Sequence, residues 1–146
     1  MSAMGRVLGL DPGESRWGVA LSDPGRMVAS PHIVIDVRGD GREAKAQIKA
    51  IVREYDVDQI VVGLPLSLDG QAGPAAQRAV ETAHALRTML GGRVSVELSD
   101  ERFTTVSAER ALREGGVRGK ARRQRVDKVA AAVMLQSYLD GGGGTA

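Results

Sequence analysis

The stretch RVLGLDPGESRWGVALSD, Arg6 to Asp23, decides the fold. It starts apolar, meets Asp11, turns through Pro12 and Gly13, and becomes apolar again at Trp17. Val7 to Leu10 reads as a buried strand and RWGVALSD as a second, joined by a tight Pro-Gly turn. Asp11 then stands at the end of the first strand, held rigidly by the sheet, and the turn beside it keeps bulk away.

Working outward, MVASPHIVID (27–36) reads as a third strand in which Pro31 marks an edge or an irregularity. In GREAKAQIKAIVREY (41–55), Ala44, Ile48, Ile51, Val52 and Tyr55 fall at helical spacing opposite a charged face. DQIVVGLP (58–65) is a β-branched run that stops at Gly63 and Pro65, as a buried parallel strand does. Pro74 suits the first turn of a helix that runs to a glycine stop at Gly91 and Gly92. RVSVEL (93–98) is a further strand, followed by polar SDER. TVSAERALRE (105–114) is helical, and a basic stretch, VRGKARRQR (117–125), leads into a last helix, VDKVAAAVMLQSYL (126–139). Three strands with short links suggest a meander, and the later strand–helix alternation suggests parallel crossovers. The expectation is an α/β protein with a mixed sheet flanked by helices: one domain over residues 1–140 and a disordered glycine-rich tail over 141–146.

Composition sets bounds on function. The 146 residues include no cysteine, so disulfides and thiolate metal sites are excluded, and a cytoplasmic location is expected. No apolar run approaches the roughly 18 residues of a membrane span, and no secretory leader is expected. The net charge of +2 says little about partners, but its placement says more. Arg113, Arg118, Lys120, Arg122, Arg123 and Arg125 crowd the segment before Asp127. They read either as a mobile solvated loop or as phosphate-backbone contacts. His32 and His84 have no ligand spacing between them and are taken as structural or surface residues.

Asp11, the Asp100–Glu101 pair after the RVSVEL strand, and Asp127 at the start of the last helix lie far apart in sequence. In open sheets, ligand sites form outside the carboxyl ends of the parallel strands, where these acids could converge. Each also has a plain structural explanation. Asp-Pro-Gly is good turn chemistry for Asp11. Asp100 and Glu101 suit a solvated loop or a helix cap. Asp127 suits the first turn of a helix, where an acid favours the dipole. Against the last, this helix is apolar on nearly every side, and an ionised carboxylate buried there needs a partner.

LGLDPGESRWGVALSD, IVVGLPLSLDG, DERFTT and VDKVAAAVMLQSYL resemble, in order and spacing, the YqgF/RuvX family. This bacterial family has been assigned both to Holliday junction resolution and to pre-16S rRNA processing. The resemblance covers nearly the whole chain up to the glycine tail. It implies a ribonuclease H-like fold, a five-stranded mixed sheet with strand 2 antiparallel. It also implies catalytic, metal-binding acids at Asp11, Glu101 and Asp127, with Asp100 a further candidate ligand. Trp17 departs from the smaller aliphatic residue expected there, and RRQR departs from a lysine-glycine pattern before Asp127.

The implied chemistry is divalent-metal-dependent phosphodiester hydrolysis by an endonuclease. Two Mg²⁺ or Mn²⁺ ions can activate a water and stabilise a leaving oxygen. Mg²⁺ prefers a few carboxylates plus waters and phosphate oxygens. The partner is then nucleic acid, either structured RNA, including that of a ribosomal precursor particle, or branched DNA. No membrane partner is expected. Pre-16S rRNA processing is ranked ahead of junction resolution, which would call for two active sites and hence a homodimer. A non-catalytic nucleic-acid-binding module is a second class. An actin- or sugar-kinase-like ATPase is a third, and it would need a second such domain.

Overall fold

In the computed structural model, which describes residues 5–66, 69–101 and 120–141, the first strand is longer than its apolar core. β1 spans Arg6–Pro12, so Asp11 lies inside it, and β2 spans Arg16–Ser22. They pair antiparallel, with Leu10 opposite Val19, Asp11 opposite Gly18 and Pro12 opposite Trp17. β3 (Ala29–Asp36) pairs antiparallel with β2 at the sheet edge. Its register slips where Pro31 sits opposite Ala20, as a residue without an N–H requires.

Helix α1 (Arg42–Glu54) buries Ala44, Ile48 and Ile51, the stripe expected from spacing. β4 (Val57–Leu64) lies parallel to β1 in the middle of the sheet. Covered on both faces, its run Ile60, Val61 and Val62 is apolar without alternation. Helix α2 (Pro74–Leu90) begins on its proline and ends at Gly91, whose φ of 64° is the left-handed cap that glycine adopts without strain. β5 (Ser95–Asp100) pairs parallel with β4 and closes the order β3-β2-β1-β4-β5. The mixed five-stranded sheet with β2 antiparallel to both its neighbours is the expected one.

Helix α3 (Lys120–Asp140) differs from expectation at its start. The basic residues Lys120, Arg122, Arg123 and Arg125 belong to its first two turns rather than to a loop. Lys, Ala, Arg and Gln all favour helix, so the helix runs on through the charged stretch. Asp127 is therefore about two turns inside α3, and a first-turn role with the helix dipole does not apply to it. The helix expected over 105–114, the residues Arg113 and Arg118, and the tail from 142 lie outside the described residues.

Two apolar cores sandwich the sheet. Leu8, Leu10, Val19, Ile35, Ile60 and Val62 pack with α1 and α2 on one face, and Trp17 is buried among them. Val7, Ala20 and Val61 pack with Ala131, Met134, Leu135 and Leu139 of α3 on the other. At the far end of α3 a polar chain crosses the sheet. Arg26, buried despite a left-handed φ of 58°, donates to Gln59 Oε1 at 3.0 Å and pairs with Asp58. Gln59 Nε2 donates to the Tyr138 hydroxyl at 2.7 Å, which donates to Glu97 Oε2 at 2.5 Å. Burial, then the Glu97 carboxylate, pushes the Tyr138 hydroxyl up to about 12.

This arrangement predicts a pH-dependent cost of removing the hydroxyl. Tyr138→Phe should destabilise the fold by about 1 kcal/mol near neutral pH, because the Gln59 amide loses a partner. A raised phenol pKa means the stabilisation is present below about 10, the unfolded value, and is lost as pH climbs towards about 12. Urea denaturation of both proteins from pH 8 to 12 should show their stability difference shrinking above pH 10.

Candidate active site

Strand alternation carries Asp11 to the α3 face. Val7 packs there, and a Cβ on Gly9 would come within 2.8 Å of Leu135, so Asp11, next in the same parity, points the same way. Its partner Gly18 opens space for the helix: a Cβ on Gly18 would stand 2.2 Å from the Asp127 carbonyl oxygen. The α3 backbone at Asp127 is thus seated directly on the strand beside Asp11.

Glu101 arrives from the other side. Leu10 pairs with Val62, so the next residues along the two strands, Asp11 and Gly63, are neighbours. A Cβ on Gly63 would lie 2.3 Å from Glu101 Oε1 and 3.6 Å from Met134 Cγ. The Glu101 carboxylate therefore lies over a glycine, against α3. Its backbone is fixed by an N–H donated to the Leu64 carbonyl at 3.1 Å. Asp11, Glu101 and Asp127 are 3%, 1% and 6% exposed, far below the usual exposure of carboxylates.

The remaining candidates fall elsewhere. Asp100 ends β5 in the parity of Val96 and Leu98, which serve the α1–α2 core, so it lies on the opposite face from Glu101. Lys120, Arg122, Arg123 and Arg125 precede Asp127 along α3. His32 stands edge-on to Tyr55 with ring centres 5.0 Å apart, and His84 is exposed, so neither belongs to the site. A groove of about 400 Å³ beside Trp17, Lys45 and Arg78 lies on the α1–α2 face.

Reading the sequence missed three residues of this site. Gly18 and Gly63 were legible in principle, because glycine inside a strand signals close approach of another group. Arg16 carried no such signal. Its Nε donates to Asp127 Oδ2 at 2.8 Å across 111 residues of sequence. Among the described residues no three His, Cys, Asp or Glu side chains are disposed to close on one ion. The donor chemistry at Asp11, Glu101 and Asp127 is nonetheless that of a hard cation: carboxylate oxygen alone, with no imidazole or thiolate.

Residues 5–141 match the family RuvX, Holliday junction resolvase. The chain belongs to the RuvX family. A relative from Nocardia farcinica (strain IFM 10152) is 45% identical over 141 residues, covering 93% of this chain and 78% of its own. Another, from Roseiflexus sp. (strain RS-1), is 43% identical, covering 95% and 96%. Both carry the name "Putative pre-16S rRNA nuclease". Among solved structures, Thermus thermophilus RuvC in complex with a Holliday junction substrate superposes with a TM-score of 0.56 at 15% identity, over 96% of this chain and 97% of that one. The yeast mitochondrial Holliday junction resolvase Ydc2 gives 0.55 at 11%, over 95% and 79%. Identities this low establish a shared fold, that of the ribonuclease H-like resolvases.

The two glycines give contrasting predictions. Gly18→Ala places a methyl against helix backbone, which cannot step aside, and should cost about 1–3 kcal/mol. Gly63→Ala meets only the end of a side chain, so it should cost less stability while turning Glu101 out of place. Urea denaturation orders the two, and a crystal structure of Gly63→Ala locates the Glu101 carboxylate.

Proposed function

We propose that the chain is a divalent-metal-dependent endonuclease that hydrolyses phosphodiester bonds in processing the 5′ end of pre-16S rRNA. The observation that carries this is the row Gly18–Asp11–Gly63 across three strands. Its glycines let Asp127 and Glu101 flank Asp11, all three buried. Buried carboxylates gathered without histidine or cysteine make a poor core and a good cradle for cations. The substrate comes from the names of relatives above 40% identity, matched over 78% and 96% of their own lengths.

Asp11, Glu101 and Asp127 would hold one or two Mg²⁺ or Mn²⁺ ions. Such ions, when bound, stabilise charge on the phosphate oxygens and supply a hydroxide-like water. Asp11, paired with Gly18 in the sheet, would be the shared ligand, with Glu101 and Asp127 as outer ligands. The sheet holds the backbones of Asp11 and Glu101, and α3 that of Asp127, so closing on an ion would call for side-chain movement rather than a change of fold. The cations of the first turns of α3, with Arg113 and Arg118, would contact phosphates and give affinity without reading sequence. The site lies inside the cell on this reading, in the cytoplasm where ribosomal precursors form. The family's own description supports a second reading, cleavage of branched DNA.

Asp11→Asn should lower cleavage of a pre-16S 5′ leader in Mg²⁺ by more than about 100-fold, the upper range for loss of a mere outer-shell partner. Its melting temperature without added metal should not fall, since one charge leaves a cluster of like charges. Purified wild type and mutant, assayed on the leader and on a four-way junction side by side, check this. Cleavage of the junction alone would favour the second reading. Full activity of the mutant would remove Asp11 from the chemistry, and an inert wild type would leave a binding module.

A further inference from the structure

We propose that Arg16 is a placeholder cation at the acidic cluster: it holds Asp127 until the site is loaded with metal, then yields the carboxylate and turns its guanidinium to a phosphate of the nucleic acid. The proposal rests on the metal centre argued above and assigns that centre a further residue.

The placement is specific. Arg16 opens β2 in the parity of Gly18 and Ala20, which puts it on the α3 face with the acids. Its single contact to Asp127 is made by Nε to Oδ2, and the side chains are 23% and 9% exposed. The pair therefore sits at the mouth of the cluster, with the arginine on the solvent side. Among the described residues the two terminal nitrogens of Arg16 make no hydrogen bond. A guanidinium that spends only its Nε on a carboxylate keeps the planar fork that suits a phosphate.

The electrostatics explain why such a residue is needed. Carboxylates as buried as Asp11, Glu101 and Asp127 repel one another and are costly to desolvate. A fixed positive charge at Asp127 offsets part of that cost in the folded protein. It also opposes any second cation at the same oxygens. Arginine keeps its charge throughout the physiological range, so the exchange is governed by metal rather than by pH. Once Arg16 has let go of Asp127, its charge stands beside the acids, where it can meet a phosphate of the bound nucleic acid.

The test is calorimetric titration of MnCl₂ into wild type, Arg16→Gln and Arg16→Lys without nucleic acid. Glutamine can still donate to Asp127 but carries no charge, so Arg16→Gln should bind Mn²⁺ roughly tenfold more tightly. Arg16→Lys, which keeps the charge, should stay within about twofold of wild type. Binding of a labelled RNA duplex, followed by anisotropy in Ca²⁺, should weaken in Arg16→Gln. Its slope of log affinity against log salt should flatten by about 0.9, one phosphate contact. Without divalent ions the two proteins should bind the duplex alike. Weaker or unchanged Mn²⁺ binding by Arg16→Gln would overturn the placeholder role and leave Arg16 as a simple orienting partner of Asp127. An equal loss of duplex affinity with and without Ca²⁺ would overturn the release to phosphate. If wild type takes up no Mn²⁺, or Asp11→Asn takes up as much as wild type, the metal centre itself fails, whatever Arg16→Gln does.

Discussion

Asp11 can be a buried acid in the middle of a sheet only because its lateral neighbours have no side chains. Gly18 on one side is covered by the backbone of α3, and Gly63 on the other by the carboxylate of Glu101. Any larger residue at Gly18 would lift the helix that carries Asp127. Any larger residue at Gly63 would expel Glu101. The same two positions therefore set both the seating of α3 and the gathering of three like charges, which no apolar core would favour. Packing and the burial of charge compete along one row of backbone.

The molecule divides that conflict between its two ends. Near the C-terminal ends of β1, β4 and β5, apolar packing gives way to acids and glycines. At the opposite end, the chain Arg26–Gln59–Tyr138–Glu97 ties the β2–β3 turn, β4, β5 and α3 together with satisfied polar groups. Between them, Val7, Ala20, Val61, Ala131, Met134 and Leu135 form the apolar seam that holds α3 down. A helix anchored at its far end and along its middle can carry a charged residue near its start.

Much of this was legible in the sequence. The strand–turn–strand opening, the stripe of α1, Pro74 and the glycine stop of α2 are local signals, and the structure follows them. The three acids could be named because four motifs fell in the order of a known family, whereas each acid alone had a plain structural explanation. The register that makes Gly18 and Gly63 neighbours of Asp11 was not legible, because strand pairing is non-local. The start of α3 was misread because a run of cations without an apolar stripe looks like a loop, although its residues favour helix. Arg16 stayed hidden for a third reason: an ion pair across 111 residues leaves no trace in local pattern. Asp100 was drawn in by adjacency to Glu101, and strand alternation sends it to the other face.

On the proposed function, Asp11, Glu101 and Asp127 form one metal-binding site. Crystals soaked in MnCl₂ and measured near the manganese absorption edge test it most directly. Anomalous density is expected in contact with the Asp11 carboxylate, bordered by Glu101 and Asp127. Density confined to other carboxylates, with Asp11 untouched at saturating Mn²⁺, would contradict it.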